Sequence, residues 1–478
     1  MNIITVLEPF FEGVKEATVE LYGDMDLAAY EKKVTELGRK GIAALIGETL
    51  TELDQSLRDA QHRSEKYTIQ RRTGRTLIST VGDIRFEHTL FRSREDGTYH
   101  LLLDEKLKLP KDEHLTELGE AALLEQAVSG SYQQAADTFS VGEQKITKTA
   151  VMNKVHRILE ELPKEEKAAE KKAVRDLYIE ADEDHIHRQR SDQSGCIIGK
   201  MAYLYEGKEE VCKGRRSLVG TFYFGGSQCV GKEGNREFWE QIQEYISNRY
   251  DTEALKRVYI AGDGGAWIRA GVGYIAKSCF VADRFHLMKY VNGAARQMLD
   301  EGDLVKRKLL KYIAKDKLRK AQKLLRRMGM SAANEEPIQA CYTFLTGNWE
   351  AIRRGLFDKR APRCSAEGHV SHLYSDRMSS RPMGWSEVGA DRMCKLRCYR
   401  ANKGEGCMID LVKLRRERAF AERCATGTDG MEIDQIPVRK QHTEQQREAM
   451  RYAERIQAEL SGTLTRKRLA IGINRAWF

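Results

Sequence analysis

The sequence predicts an α/β core set within a largely helical chain, and three observations carry that reading. Short apolar runs bounded by turn glycines recur between Leu177 and Ala282. An amphipathic helix, with Phe238, Ile242, Tyr245 and Ile246 on one face, separates the third run from the fourth. Outside this region the apolar residues recur mostly at spacings of three and four, as helices require. At 478 residues and 41% apolar composition, the chain exceeds what one compact core usually holds.

Residues 1–66 read as a helical N-terminal region, with Leu21, Met25 and Leu27, then Val34, Leu37, Ile42, Leu45 and Ile46, set among frequent charges. From Tyr67 the pattern alternates in short runs, 76–81 and 84–90, with Gly82-Asp83 and Asp96-Gly97 expected between strands. Residues 67–114 therefore read as a small antiparallel sheet. Residues 115–172 return to helix. Within them Tyr132 to Phe139, the turn at Gly142 and a second helix from Ile146 to Val151 lay out a helix-turn-helix. Gln144, Lys145, Thr147 and Lys148 would then face the major groove of double-stranded DNA, although two packed helices of any bundle share this layout. The charged stretch from Pro163 to Lys172 reads as a linker.

Residues 173–283 hold five expected strands, 177–182, 196–205, 218–224, 257–261 and 278–282, with helices at 233–248 and around Trp267. Three strands, a helix, a strand, a helix and a strand is the element order of an RNase H-like mixed sheet. The pattern stops at 284, and residues 284–362 read as a mostly α-helical insertion. From Arg284 to Met330 fourteen Lys and Arg stand against four Asp and Glu, an excess larger than the +9 of the whole chain. Such a basic stretch suits a polyanion; a solvated helix face has the same composition. Residues 363–400 supply the closing helix of the core. Residues 401–478 form a basic helical end, with a helix at 408–423, a polar linker at 426–443 and a last charged helix toward Leu460.

Three acids stand out against this frame. Cutting and rejoining a phosphodiester calls for an activated oxygen nucleophile, a stabilised leaving oxygen and neutralised charge between them, which paired Mg²⁺ ions provide. Mg²⁺ takes hard oxygen donors and keeps several waters, so a few carboxylates on separate elements suffice. Ligand sites in α/β sheets form beyond the carboxyl ends of strands, and Asp182 and Asp263 end the first and fourth expected strands. Asp184 shares a strand face with Asp182 and competes with it. Glu367, in the first turn of the closing helix, is the third acid, with Glu350 beside Trp349 as its competitor. Trp349 could stack on an unpaired base, and Arg377 and Arg381, four apart, could hold phosphates. Asp283 reads as a helix N-cap rather than a metal ligand.

Other classes fit poorly. All ten cysteines lie at or beyond Cys196, unlike a disulfide-stapled secreted protein. Cys394, Cys398, Cys407 and Cys424 lack a paired C-x-x-C for zinc, and His185 and His187 lack two further ligands. There is no run of eighteen apolar residues and no basic, cleavable leader, so no membrane role and a cytoplasmic, nucleoid-associated location are expected.

Four blocks carry a resemblance: Tyr178-Ile-Glu-Ala-Asp182-Glu-Asp-His185; Ala261-Gly-Asp263-Gly-Gly-Ala-Trp267; Ala282-Asp283-Arg-Phe-His286; and Ala366-Glu367-Gly-His-Val-Ser-His-Leu-Tyr-Ser-Asp-Arg377-Met-Ser-Ser-Arg381-Pro-Met-Gly-Trp385. Together they resemble the bacterial insertion-sequence transposases of the ISLre group, over essentially the whole chain, and that group looks like a relative of other DDE transposases. The resemblance implies metal-dependent cleavage at the terminal inverted repeats of an insertion sequence and transfer of the freed 3′ hydroxyl into target DNA. Asp182, Asp263 and Glu367 would be the catalytic and metal-binding triad, holding Mg²⁺ or Mn²⁺, two ions per site. Pairing two element ends implies a homodimer or higher oligomer. A non-catalytic DNA-binding regulator derived from such an enzyme would lack one of the acids. An RNase H-like nuclease or resolvase would share them without needing the helix-turn-helix or the basic insertion.

Overall fold

The computed structural model describes residues 3–139, 142–158, 163, 167–189, 195–228, 231–381 and 383–425. The polar linker at 426–443 and the last helix toward Leu460 lie outside them. In chain order, α1 (Ile3–Tyr22), α2 (Leu27–Arg58) and α3 (Arg63–Lys66) precede β1 (Tyr67–Ser79), β2 (Gly82–Ser93) and β3 (Tyr99–His100). Next come α4 (Leu102–Lys106), α5 (Glu117–Ser129), α6 (Tyr132–Thr138) and α7 (Lys148–Arg157). Five strands follow, β4 (Asp176–His187), β5 (Cys196–Tyr205), β6 (Gly207–Cys212), β7 (Arg215–Val219) and β8 (Phe222–Gly226), and then α8 (Gly231–Arg249). After β9 (Arg257–Gly262), α9 (Ala266–Ala270) and β10 (Ser278–Ala282), the insertion supplies α10 (Arg284–Ala295), α11 (Gly302–Ala314), α12 (Leu318–Gly329) and α13 (Glu336–Phe357). The chain closes through α14 (Ala366–Val370), a π turn at Ser371–Ser375, α15 (Asp376–Met378), α16 (Glu387–Lys403) and α17 (Met408–Ala425). Among the described residues no helix is long and apolar enough to cross a membrane.

The described residues form two compact units, one from 3–127, 131–151 and 406–425, the other from 128–130 and 152–405. In the first, α2 covers the β1-β2-β3 sheet, and Ala43, Leu57, Leu77, Ile84, Phe86 and Phe91 fill the space between them. The buried carboxylate of Asp54 accepts from the Thr89 N–H at 2.9 Å and the Thr89 hydroxyl at 2.6 Å, which fixes helix to strand. The β1–β2 turn lies at Thr80-Val81, two residues before the expected Gly82-Asp83, because Gly82, at φ +120, already pairs with Ser79. Asp83 instead accepts from the backbone N–H groups of Glu143 and Gln144 and so holds the segment after Gly142. Helix α6 is closed by a capping box, Ser131 with Gln134.

The second unit is a mixed five-stranded sheet of order β10-β9-β4-β5-β8 with helices on both faces. β4 runs parallel to β9, and β9 to β10; β5 is antiparallel to both β4 and β8. Alternation along β4 assigns its two faces. Leu177, Ile179 and Ala181 enter the core beneath α8 with Phe238, Trp239, Ile242 and Ile246. Tyr178, Glu180, Asp182 and Asp184 occupy the other face. The insertion helices join the same apolar core through Leu287, Val291, Leu309, Leu325 and Leu345.

Two further expectations shift. β4 continues five residues past Asp182, paired with β5 as far as His187 opposite Cys196. The expected strand 218–224 is two strands broken at Gly220, which takes φ +63; β7 pairs with β6 in a separate two-stranded ribbon, and β8 alone joins the sheet.

The closing segment lies tight on the sheet. A Cβ at Gly225 in β8 would stand 1.8 Å from the Tyr374 hydroxyl and 2.7 Å from Cys398 Sγ, and that hydroxyl donates to the Lys200 carbonyl at 3.1 Å. Gly225→Ala is therefore expected to destabilise the chain by about 1–3 kcal/mol in urea unfolding, the usual cost of overpacking. Adding Tyr374→Phe should return much of that loss; an unaltered Gly225→Ala midpoint would contradict the packing described.

Candidate active site

The site is built by strand register. In the parallel pair β4–β9, Asp176 faces Arg257 and Glu180 faces Ala261, a constant offset of 81 residues. Asp182 and Asp263 are separated by the same 81, so they stand abreast two residues beyond the last of these pairs. Parallel strands lie about 4.8 Å apart with in-register side chains on one face. In β9–β10 the offset is 20, with Gly262 facing Ala282, which brings Asp283 level with Asp263. Three carboxylates thus share one row along the carboxyl edge of three adjacent parallel strands.

Each is held differently. Asp182 is half-buried, and its Oδ1 accepts from the Glu183 N–H at 2.9 Å. Burial above all, with help from the neighbouring carboxylates of Asp263 and Glu367, pushes its carboxyl up to about 6 against the pull of that N–H and of His286. Asp263 Oδ1 accepts from the Gly265 N–H at 2.7 Å in the turn after β9, where Gly264 takes φ +94. Asp283 caps α10 through the N–H groups of Phe285 and His286, the role expected of it, and also binds His286 Nδ1 at 2.9 Å. That bond, then the charges of Asp283, Asp263 and Asp182, raise the imidazole pKa against the effect of burial. His286 is the site residue the sequence reading missed; its signal was the Asp283-Arg-Phe-His286 spacing, which the N-cap reading absorbed.

Glu367 is exposed on the first turn of α14, and its charge reaches Asp182. What carries it there is Glu180, two residues before Asp182 on the same face. The Glu180 carboxylate is fully buried and accepts from the hydroxyls of Tyr203 and Tyr205, from the Ser365 N–H at 2.5 Å and from the Ser365 hydroxyl at 3.1 Å. Burial, and then Glu180, push both tyrosine hydroxyls far up from their ordinary range. Asp184, two residues beyond Asp182, accepts from the Ser379 hydroxyl at 3.0 and 2.8 Å. The closing helix is thereby tied to the acids on either side of Asp182, and Asp182 between them accepts from no other side chain among the described residues.

The other candidates separate. Glu350 pairs with Arg353 at 3.1 Å on the exposed side of α13. Trp349 packs against the core and donates to Asp316 at 3.0 Å, so its indole is engaged within the insertion. Arg377 is buried with its guanidinium 4.9 Å over the Trp385 ring, whereas Arg381 is exposed. Gln144, Lys145, Thr147 and Lys148 are all exposed; the first three precede α7, and the Thr147 hydroxyl accepts from the Ala150 N–H at 3.1 Å. His185 and His187 are exposed. On the insertion, Arg307, Lys308, Lys311, Lys315, Lys317, Arg319, Lys320, Lys323, Arg326 and Arg327 are exposed and unpaired with any acid among the described residues. Among the described residues no group of three or more His, Cys, Asp or Glu is gathered tightly enough to hold a metal ion as the chain stands.

A family model described as an uncharacterised protein family, UPF0236, matches residues 21–415. Several proteins of that description from Caldanaerobacter subterraneus subsp. tengcongensis are similar to this chain. One is 35% identical over 381 residues, covering 80% of this chain and 78% of the relative, and its name joins eleven locus designations. A second is 34% identical over 399 residues, covering 82% and 83%. A third is 34% identical over 399 residues, covering 82% of each, and its name joins four.

The raised Asp182 carboxyl fixes a sign. Its folded value lies above the unfolded one, so the stability it contributes is complete below about pH 4 and is lost as pH rises through about 6. In metal-free buffer Asp182→Asn should therefore be more stable than the parent at pH 7.5, by about 1–2 kcal/mol after discounting for solvent. At pH 4 urea unfolding should show the two alike; an equal gain at both pH values would contradict the placement.

Proposed function

The chain belongs to the uncharacterised protein family UPF0236, and on that footing we propose that it is a DNA transposase with an RNase H-like catalytic unit. It would cleave at the ends of an insertion sequence and join the freed 3′ hydroxyl to target DNA. The observation that carries this reading is the shared offset of 81, which sets Asp182 and Asp263 side by side at the carboxyl edge of β4 and β9. The sheet order and directions support it, since an RNase H-like sheet would have its first three strands antiparallel and the last two parallel beside the first, as β4, β5, β8, β9 and β10 run.

Hard oxygen donors along one strand edge suit a divalent cation, and Asp182, pushed up above all by burial and then by the charges of Asp263 and Glu367, is a carboxyl whose ionised form a cation would stabilise. Asp182, Asp263 and Glu367 would hold Mg²⁺ or Mn²⁺, partly through water. Bound there, the metal would activate the attacking oxygen and stabilise the leaving one. The chain's own residues do the rest. Asp182 and Asp263, each fixed by a backbone N–H, orient the donors without rearrangement. His286, its Nδ1 held by Asp283, presents its imidazole beside the carboxylates of Asp182 and Asp263, where a phosphate would enter.

The exposed cations of α11 and α12 give a surface for the duplex backbone. The exposed residues around the start of α7, Gln144 to Lys148, would read terminal repeats in a helix-turn-helix with α6. The relatives lend support of another kind: one name joined to eleven locus designations in one organism is what an element that copies itself leaves behind. Pairing two ends on double-stranded DNA implies a dimer or higher assembly.

Alanine at Asp182, Asp263 or Glu367 is expected to lower Mg²⁺-dependent strand cleavage about a thousandfold, roughly 4 kcal/mol of transition-state stabilisation, while duplex affinity in a gel shift stays near the parent's. Glu350→Ala should cleave like the parent. Loss of cleavage in Glu350→Ala with cleavage retained in Glu367→Ala would reverse the assignment of the third acid. Cleavage without strand transfer in the parent would point to a nuclease or resolvase instead.

A further inference from the structure

The β6–β7 ribbon is a projection that the sheet does not need. It leaves between β5 and β8, pairs only with itself, and every described side chain from Lys208 to Ser217 is exposed. An isolated two-stranded ribbon is marginal in water, yet this one is anchored firmly at its root. The Glu206 N–H donates to the Val219 carbonyl at 2.9 Å, and the Glu206 carboxylate accepts from the Tyr250 hydroxyl at 3.1 Å and pairs with Lys172. Lys208 lies over the Tyr205 ring at 5.5 Å and reaches the Arg363 carbonyl at 3.4 Å.

The tip is chemically sorted. Glu210 spends its carboxylate on the Gly214 N–H at 3.2 Å, closing the turn at φ +84. Beyond Glu210 the ribbon carries Lys213, Arg215 and Arg216 and no acid. Lys213 and Arg216 make no ion pair among the described residues. A register shift between Glu210 and Cys212 marks a bulge at Val211, which stays 63% exposed beside the exposed Cys212. A bulge re-aims side chains at a strand end, and here it leaves Val211 exposed next to Glu210, which faces Arg216 across the ribbon.

We propose that the β6–β7 ribbon is a second DNA-binding arm that enters the major groove of duplex flanking the cut, with Lys213 and Arg216 on phosphates and Val211 against base edges. A two-stranded ribbon fits that groove. The root lies beside Tyr178, at the amino end of β4 and four residues from Asp182, about 13 Å at strand spacing, so the arm leaves the sheet at the edge opposite the acids and meets the flanking duplex away from the scissile position. The arm rests on the transposase reading for its partner but not on the triad.

The test uses the full chain, a mixed-sequence duplex and peptide-resolved maleimide labelling of Cys212. Bound duplex is expected to slow that labelling about tenfold. Replacing both Lys213 and Arg216 by Ala should abolish the protection and flatten the salt dependence of binding by about two units of logarithmic slope, near 0.9 per lost phosphate contact. Duplex binding with Cys212 labelled as fast as in free protein, or a double variant with the parent's salt slope, would overturn the arm and leave the transposase reading standing. A chain that binds no duplex at all would remove the arm together with that reading.

Discussion

The buried carboxylate of Glu180 is the interaction on which the candidate site depends. It is sealed from water, and two tyrosine hydroxyls from β5 and the Ser365 N–H and hydroxyl all donate to it. Hydrogen bonds to a carboxylate are stronger than neutral ones, and stripping away one of these donors costs about 1.5–3 kcal/mol. The value of the carboxylate is geometric. One oxygen of Glu180 joins β4, β5 and the residue before α14, and Glu367 stands two residues further on. With Asp184 tied to Ser379 at the other end, the closing segment is clamped across Asp182.

The second constraint is register. Hydrogen bonding between parallel strands admits no half-steps, so an offset of 81 between β4 and β9 and of 20 between β9 and β10 carries the row of Asp182, Asp263 and Asp283 with it. A slip of one residue in either pair would send an acid to the apolar face beneath α8. That face is filled by Leu177, Ile179, Ala181, Phe238 and Trp239, which have no partner for a carboxylate. The core thus enforces the alignment of the edge, and the tight turn at Gly264 and the N-cap at Asp283 turn the chain away immediately after it.

Much of this was legible in the sequence because apolar runs and turn glycines are local signals. The strands 196–205 and 278–282 coincide with β5 and β10, and the closing helix begins at Ala366 beside Glu367 as expected. The rest depended on contacts far apart in sequence. The polar run after Asp182 looks like a strand end, yet Ile186 is buried and pairing with β5 carries the strand to His187. The stretch 218–224 looks continuous until Gly220 takes a positive φ and splits it, which hid the β6–β7 ribbon. Nothing local distinguishes Arg381, open to solvent, from Arg377, drawn over Trp385. His286 was missed because its meaning comes from carboxylates on β4 and β9.

The central claim is that Asp182 and Asp263 together form a divalent-metal site. It is tested most directly by anomalous diffraction from crystals of the full chain soaked in Mn²⁺. The account predicts a manganese peak in contact with both carboxylates, absent from Asp263→Asn crystals. Manganese bound elsewhere, or a peak that persists in that variant, would contradict it.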